Sequence, residues 1–199
     1  MRRIFLDGGT HYGQGLQQFI QKYNITPEWE IHTFEANPVT YNHFLEKNPH
    51  LLQRFNINHY NKALSNKNGV VTINQETPPN EDNSGMGSSI ISLDKWNPWG
   101  GALRENFKTT SEVECIDLSE FILNNFSKED FIVFKLDIEG AEYDVLESLI
   151  ETEAIFHIND LYVEFHSRFF TNSEEILIKE NNIKSFILNN TQVRLTEWH

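Results

Sequence analysis

The sequence predicts a single α/β domain around a mostly parallel sheet, and three observations lead to this prediction. Two apolar segments, 4–6 and 131–136, each end at an acid, Asp7 or Asp137, and continue into a glycine turn. A third acid, Glu35, ends another apolar segment between them. Near-continuous apolar runs are typical of strands covered on both faces. Because open α/β folds place their chemistry at the carboxyl ends of such strands, we expect these acids to mark a functional edge.

Hydrophobic spacing predicts the order of the other elements. Predicted helices cover 13–23, 41–48, 118–122, 145–150 and 174–178. Further predicted strands cover 29–34, 55–60, 70–73, 113–116 and 161–165. Asp117 can cap the helix that follows it, and Asn68-Gly69 is a hairpin signal before the strand at 70–73. At the C-terminus, 183–188 and 192–197 flank a polar turn and predict a closing antiparallel hairpin.

An irregular insertion interrupts the pattern at about 74–112. Prolines, glycines and tryptophans dominate it, and a stretch this long without regular structure is more often a functional loop than a spacer. Its Trp96 and Trp99 could form an exposed platform for the apolar face of a sugar. The alternative is a satellite hydrophobic cluster beneath a long loop.

Composition indicates one ordinary globular domain spanning 1–199. With 199 residues the chain is long enough to bury a full core, and 39% hydrophobic and 23% charged residues are ordinary for a globular protein. The net charge of −13 disfavours a nucleic-acid or anionic-membrane partner, and no apolar run approaches the length of a membrane span. Cys115 is the only cysteine, so a reducing compartment is expected. With no visible signal peptide, we expect a cytoplasmic protein, either a bare catalytic core or one domain of a longer chain.

The first glycine turn has the spacing Asp7-x-Gly9-x-x-x-Gly13. Glycines let the backbone turn tightly and bring amide groups and a helix N-terminus close to a ligand. The spacing differs from the G-x-G-x-x-G pattern of dinucleotide-binding folds, and suits a ligand with an amino-acid tail whose ammonium Asp7 could hold. Glu35, at the end of the second strand, could accept both hydroxyl protons of a ribose. The alternatives are a turn that only lets a helix pack and a solvated strand end.

Four motifs, in this order and context, resemble the FkbM family of S-adenosylmethionine-dependent methyltransferases over about residues 4–166. They are Asp7-x-Gly9-x-x-x-Gly13, Phe34-Glu35-Ala36-Asn37-Pro38, Lys62-Ala63-Leu64-Ser65 and Lys135-Leu136-Asp137-Ile138-Glu139-Gly140-Ala141-Glu142. The resemblance implies a Rossmann-like, seven-stranded methyltransferase sheet with its reversed hairpin at the C-terminus. It also implies O-methylation, often of sugars or polyketide-like hydroxyls.

The resemblance also implies roles for individual positions. Cofactor contacts fall on Asp7, Gly9, Gly13, Glu35, Ala36, Lys62, Ala63 and Asp137, together with Thr10 and His11. Within this set Glu35 would accept from the ribose, Lys62 and Ala63 would line the adenine, and Asp137 would lie nearest the sulfonium. Gly8-Gly9-Thr10-His11 departs from the more usual Val-Gly-Ala-Asn of the family while keeping the glycine at position 9.

The predicted strand at 161–165, together with the residue after it, supplies candidate catalytic groups. Glu164 and His166 alternate onto one face, and that strand should lie beside the one that ends at Asp137. A hydroxyl acceptor needs either a side-chain base or a divalent ion that lowers its pKa. We therefore predict Asp137, Glu164 and His166 as the catalytic group and as ligands for Mg²⁺ or Mn²⁺. The alternatives are a metal-free base, at His166 or Glu139, and a purely structural histidine.

These observations predict an S-adenosylmethionine-dependent O-methyltransferase that acts on a sugar hydroxyl of a glycan or glycoconjugate. A neighbouring glycosyltransferase domain or protein is an expected partner. One alternative is a nonenzymatic domain that binds S-adenosylmethionine or another nucleoside. Another is an RNA ribose methyltransferase, which the net charge of −13 disfavours.

Overall fold

The computed structural model describes residues 1–76, 87–96, 107 and 109–198. The strands are β1 (Arg3–Gly8), β2 (Glu30–Phe34), β3 (Asn56–Tyr60), β4 (Ala63–Ser65), β5 (Gly69–Gln75), β6 (Thr109–Asp117), β7 (Phe131–Leu136), β8 (Asp160–Val163) and β9 (Arg194–Glu197). The α-helices are α1 (Gln14–Lys22), α2 (Pro38–Lys47), α3 (Pro49–Arg54), α4 (Leu118–Asn125), α5 (Glu142–Glu151) and α6 (Ser173–Asn190). Short 3₁₀ helices cover Ala154–His157 and Ser167–Phe169.

The main sheet has six strands in the order β3-β2-β1-β7-β8-β9, and every pair in it is parallel. Alternate residues of its central strands enter two different clusters. Ile4 and Phe134 pack against helices α4, α5 and α6, whereas Phe5 and Val133 pack against α1, α2 and α3. Both faces are therefore covered, which is why the central strands read as continuous apolar runs. The predicted α/β class and mostly parallel sheet are confirmed.

A second, three-stranded sheet has the order β4-β6-β5. β6 pairs in parallel with β4 and antiparallel with β5. The hairpin predicted from Asn68-Gly69 is therefore wrong. The turn connects β4 to β5, but these strands do not pair with each other because β6 lies between them. The predicted cap is confirmed, since Asp117 accepts a hydrogen bond from the backbone amide of Glu120 at the start of α4.

The predicted C-terminal antiparallel hairpin is wrong. Segment 183–188 lies inside α6, where Ile183 and Ile187, one helical turn apart, are buried against the core. The C-terminal segment forms β9, which pairs in parallel with β8. The expected sheet had seven strands, whereas the main sheet has six in the part of the chain that the structure describes. No helix within that part is both long and apolar enough to cross a membrane.

Candidate functional site

The carboxyl edge of the main sheet brings the predicted acids together. Asp7 lies near the end of β1, Glu35 directly after β2 and Asp137 directly after β7. Glu164 follows β8, and its backbone amide donates to the Leu136 carbonyl of β7 at 3.0 Å, so the chain remains beside β7 beyond the strand. Two groups of side chains result, one at the β1 turn and one around His166.

The β1 turn is held by main-chain hydrogen bonds to both neighbouring strands. The amides of Gly9 and Thr10 donate to the Phe34 carbonyl of β2 at 3.0 and 3.1 Å. The amide of Asp137 donates to the Gly8 carbonyl at 3.1 Å. Gly9 has a left-handed φ of 73°, and a Cβ there would overlap the carbonyl oxygen of Asp137. Only glycine fits this position, because both the backbone and the space exclude a side chain.

The remaining predicted turn residues have local structural roles. The Thr10 hydroxyl donates to the Asp7 carbonyl at 3.1 Å, which closes the turn below the site. Gly13 has a φ of 88° and caps α1. A Cβ at Gly13 would lie 2.8 Å from the Phe44 ring. His11 also has a positive φ, 51°, and its ring stacks on that of Tyr12 with centroids 4.2 Å apart.

Lys135 is a buried cation at the centre of the edge. Its Nζ donates to the Gly9 carbonyl at 2.7 Å, and lies 3.4 Å from Asp7 Oδ1 and 3.2 Å from Asp137 Oδ2. Burial by itself lowers the pKa of Lys135, but Asp137 and Asp7 hold that pKa above its ordinary value. Asp7 is fully buried; burial raises its pKa, and Lys135 opposes the shift. We call Asp7, Gly9, Glu35 and Lys135 the glycine-turn group.

Glu35 is positioned by two backbone amides. Oε2 accepts from His11 at 2.8 Å and Oε1 from Asn37 at 2.9 Å. The side chain is buried, and burial raises the pKa of this carboxyl, with the amides of Asn37 and His11 opposing. The solvated strand end considered as an alternative is therefore wrong. The carboxylate has about four lone-pair sites, so acceptor capacity remains after the two amide bonds.

The predicted adenine-lining residues, Lys62 and Ala63, follow Asn61, whose side chain is hydrogen-bonded to the residues after β2. Ala63 is buried in β4 and Ala36 packs against the same small cluster. The Lys62 ammonium pairs with Glu114 of β6 at 2.8 Å. The Asn61 amide donates to the Glu35 and Ala36 carbonyls at 2.9 and 3.2 Å, which fixes β2 to the segment that precedes β4.

His166 is the centre of the second group, which we call the histidine group: Asp137, Glu139, Glu142, Glu164 and His166. The imidazole side chain is 2% exposed. Its Nδ1 lies 3.1 Å from Glu142 Oε1. Its Nε2 faces Glu139 Oε2 at 3.6 Å, Glu164 Oε1 at 3.7 Å and Asp137 Oδ1 at 3.9 Å. The structure thus brings together the predicted Asp137, Glu164 and His166, and adds Glu139 and Glu142.

The charges of the histidine group shift one another. Burial alone would lower the pKa of His166, but the Glu142 carboxylate, followed by Glu139 and Asp137, raises it to about 10. Burial raises the pKa of Glu139 to about 8; His166 opposes this shift, and Asp137, Glu142 and Glu164 add to it. In the protein alone, one imidazolium therefore neutralises part of a surplus of negative charge.

Trp96 forms one wall behind this group. It is fully buried, with ring centroids 5.9 Å from His166 and 5.3 Å from Phe170. A Cβ at Gly140 would lie 2.7 Å from the indole. For Trp96 the hydrophobic-cluster interpretation is confirmed and the exposed platform is wrong. Trp99 lies outside the described residues.

Sequence reasoning missed the roles of Lys135 and Glu142 and the backbone conformation of Glu139. Lys135 was visible as the one charged residue in a buried apolar strand, and this signals a buried ion pair. Glu142 is the first residue of α5, where an acid is expected to complement the helix dipole. It accepts from the amides of Ile138 and Gly140 at 2.7 and 3.0 Å as well as contacting His166. Glu139 has a left-handed φ of 53°, which glutamate rarely adopts and which no sequence pattern signals.

One family of known proteins matches most of this chain. The family described as "Methyltransferase FkbM domain" matches residues 7–184. The crystal structure of methyltransferase FkbM from Methylobacillus flagellatus KT aligns at 12% identity with a TM-score of 0.49, covering 92% of this chain and 37% of that one. A comparison with curated proteins found no match. Because the family match over residues 7–184 spans most of the sequence, the chain belongs to the FkbM methyltransferase family.

Proposed function

We propose that the protein is an S-adenosylmethionine-dependent O-methyltransferase that acts on a sugar hydroxyl of a glycan or glycoconjugate. Membership of the family supports methyl transfer. The observation that carries the proposal is the contact between two groups at one sheet edge. Lys135 joins them, since its ammonium pairs with Asp7 on one side and with Asp137 on the other.

The glycine-turn group fits the cofactor. Glu35 is presented at the end of β2 with acceptor capacity left for the ribose hydroxyls. Both carboxylate oxygens of Asp7 are buried without a hydrogen bond among the described residues, although Lys135 lies 3.4 Å away. An acid with spare acceptor capacity beneath the turn suits the ammonium of the methionine tail, with Lys62 and Ala63 lining the adenine.

The histidine group suits the acceptor side of the reaction. Bound S-adenosylmethionine supplies an electrophilic methyl group, which the acceptor oxygen takes while the carbon–sulfur electron pair stays on sulfur. Asp137, Glu164 and His166 would orient the hydroxyl and manage its proton, with Glu139 beside them. Because a sugar hydroxyl is a poor nucleophile at neutral pH, orientation and help with its proton are what the enzyme must provide.

The acidic surroundings support an uncharged acceptor. The histidine group holds four carboxylates against one imidazole, and the whole chain carries a net charge of −13. This charge repels phosphate-rich acceptors, so RNA is the weaker candidate. A neighbouring glycosyltransferase domain or protein would be the partner that supplies the glycan, and a cytoplasmic location would suit soluble sugar donors.

Calorimetry with S-adenosylhomocysteine tests the cofactor half of the proposal. We expect binding to one site per chain. Absence of binding at millimolar ligand would remove both the glycan and the RNA methyltransferase proposals.

A screen with methyl-labelled cofactor tests the acceptor half. Free glycosides, nucleotide sugars, small phenols and RNA would be compared, and we expect label on a free glycoside. Binding of S-adenosylhomocysteine without label on any acceptor would favour a nonenzymatic binding domain. Preferred methylation of a catechol or of RNA would assign a different acceptor class.

A further inference from the structure

We propose that the histidine group binds one divalent cation of the Mg²⁺ and Mn²⁺ class, with Asp137, Glu139 and His166 as its protein ligands. One ligand-type atom from each of these residues lies within 4.8 Å of the other two. The sequence predicted Glu164 in place of Glu139. The role assigned to the cation rests on the proposed function, whereas its binding is tested without methyl transfer.

His166 is held in the orientation of a metal ligand. Its Nδ1 contacts Glu142 Oε1, so Nδ1–H can donate there, and a cation that displaces the Nε2 proton can bind the Nε2 lone pair. Glu142 is itself fixed by the amides of Ile138 and Gly140. Trp96 packs against the imidazole and restricts its movement. A carboxylate behind a ligating histidine is the usual way in which proteins set its tautomer and direction.

The separations around Nε2 are those of atoms that share an ion. Among the described residues Nε2 makes no hydrogen bond, although the His166 side chain is only 2% exposed. Its neighbours at 3.6–3.9 Å are carboxylate oxygens, beyond the range of an N–H···O hydrogen bond. Two ligands that each lie about 2.1–2.2 Å from one ion are separated by about 3–4.4 Å in octahedral geometry.

The available charges select Glu139 over Glu164. Glu164 is paired with the Arg168 guanidinium at 3.4 Å. Asp137 uses Oδ2 for Lys135 and presents Oδ1 towards His166. In the described ranges, no lysine or arginine pairs with Glu139. Two carboxylates and one imidazole suit Mn²⁺ at least as well as Mg²⁺, because nitrogen ligation is stronger for transition metals.

The cation would help the acceptor hydroxyl to lose its proton. A divalent ion lowers the pKa of a hydroxyl that it holds, so the proton leaves to solvent water before or during transfer. The freed electron pair on oxygen then forms the bond to the methyl carbon. Glu164, beside the site, could orient the sugar through a second hydroxyl.

Mn²⁺ binding to the 199-residue chain tests the site directly. After dialysis against EDTA and its removal, free Mn²⁺ would be measured by electron paramagnetic resonance during titration. We expect one Mn²⁺ per chain, displaced by excess Mg²⁺. Glu139→Gln and Asp137→Asn should each weaken binding by at least tenfold. Glu147→Gln removes an acid of α5 that pairs with Lys179, and should leave the affinity unchanged.

Either of two results would overturn the site. One is wild-type protein that takes up less than one Mn²⁺ at millimolar concentration. The other is binding that survives both Glu139→Gln and Asp137→Asn. Thermal melting in EDTA checks folding; Glu139 has a 21% exposed side chain and decides the matter if Asp137→Asn does not fold. Mn²⁺ binding without S-adenosylhomocysteine binding would retain the site and reject the proposed function, and the reverse result would do the opposite.

Discussion

The two groups at the carboxyl edge balance their buried acids in different ways. In the glycine-turn group, Asp7 is opposed by Lys135 and Glu35 by two backbone amides, so the chain supplies its own compensation. In the histidine group, carboxylates surround one imidazole whose pKa they raise to about 10. The charges of the first group are therefore compensated by partners within the fold, while the second group retains negative charge that a proton or an external cation must offset. We therefore expect the histidine group, more than the glycine-turn group, to respond to pH and to dissolved cations.

Removing the shared lysine should have the largest effect. Lys135→Met leaves Asp7 and Asp137 without their buried cation, and we expect a loss of about 3–5 kcal/mol in the free energy of unfolding. The loss should grow as pH rises, because the pKa of Asp7 is already raised by burial and its charged form is the costly one. Urea unfolding between pH 4 and pH 8 measures both quantities.

Lys179→Met is the matched control for that experiment. Lys179 pairs with Asp144 and Glu147 at the surface of α5. Its loss should cost at most about 1 kcal/mol, as is usual for exposed ion pairs. Equal costs for the two lysines would show that Lys135 does not compensate buried charge.

A side chain at the β1 turn should have the next largest effect. Gly9→Ala meets a left-handed backbone and the Asp137 carbonyl, so we expect a loss of about 2–4 kcal/mol in the free energy of unfolding. Gly15→Ala, at the second residue of α1, meets only ordinary contact with Lys135 at 3.6 Å. That control should be neutral or stabilising, because alanine favours helix over glycine by about 1 kcal/mol. Similar denaturation midpoints for the two variants would contradict the close approach.

Glu35→Ala tests whether the glycine-turn group binds the cofactor. The ribose hydroxyls would lose a charged acceptor, and we expect S-adenosylhomocysteine binding to weaken by about 1.5–3 kcal/mol. Calorimetry measures the change, with Glu46→Ala on the exposed side of α2 as the control. An affinity within twofold of the wild type would mean that Glu35 serves only to hold the amides of His11 and Asn37.

The pH dependence of stability probes the histidine group in EDTA. In the folded protein the pKa of His166 is raised to about 10, above the ordinary 6.5. The stabilisation that protonated His166 contributes is therefore present in full below pH 6.5 and is lost as pH rises towards 10. His166 alone should therefore lower the free energy of unfolding by about 1.4 kcal/mol per pH unit in this window. Glu139, whose pKa burial raises to about 8, should add to the fall below pH 8. Glu142→Gln removes the largest cause that raises the pKa, so its slope should be shallower. Parallel slopes would place the titrating group elsewhere.

Sequence reasoning could find the backbone of the site more readily than its charge balance. Gly9 and Glu35 were predicted because glycine turns and strand ends leave local patterns. The partners of Lys135 come from β1 and from the residue after β7, so only the folded sheet shows that one cation serves both. α6 was misread because its apolar residues, Ile183 and Ile187 among them, also suited a short strand.

The contact between Gly9 and the Asp137 carbonyl limits how this protein can be re-engineered. The two positions are far apart in sequence, yet neither backbone can shift without displacing the other. A β1 turn grafted from a distant relative would therefore have to arrive together with the matching segment after β7. Under the proposed function, this couples donor recognition to the placement of Asp137, so libraries that vary one segment should vary both.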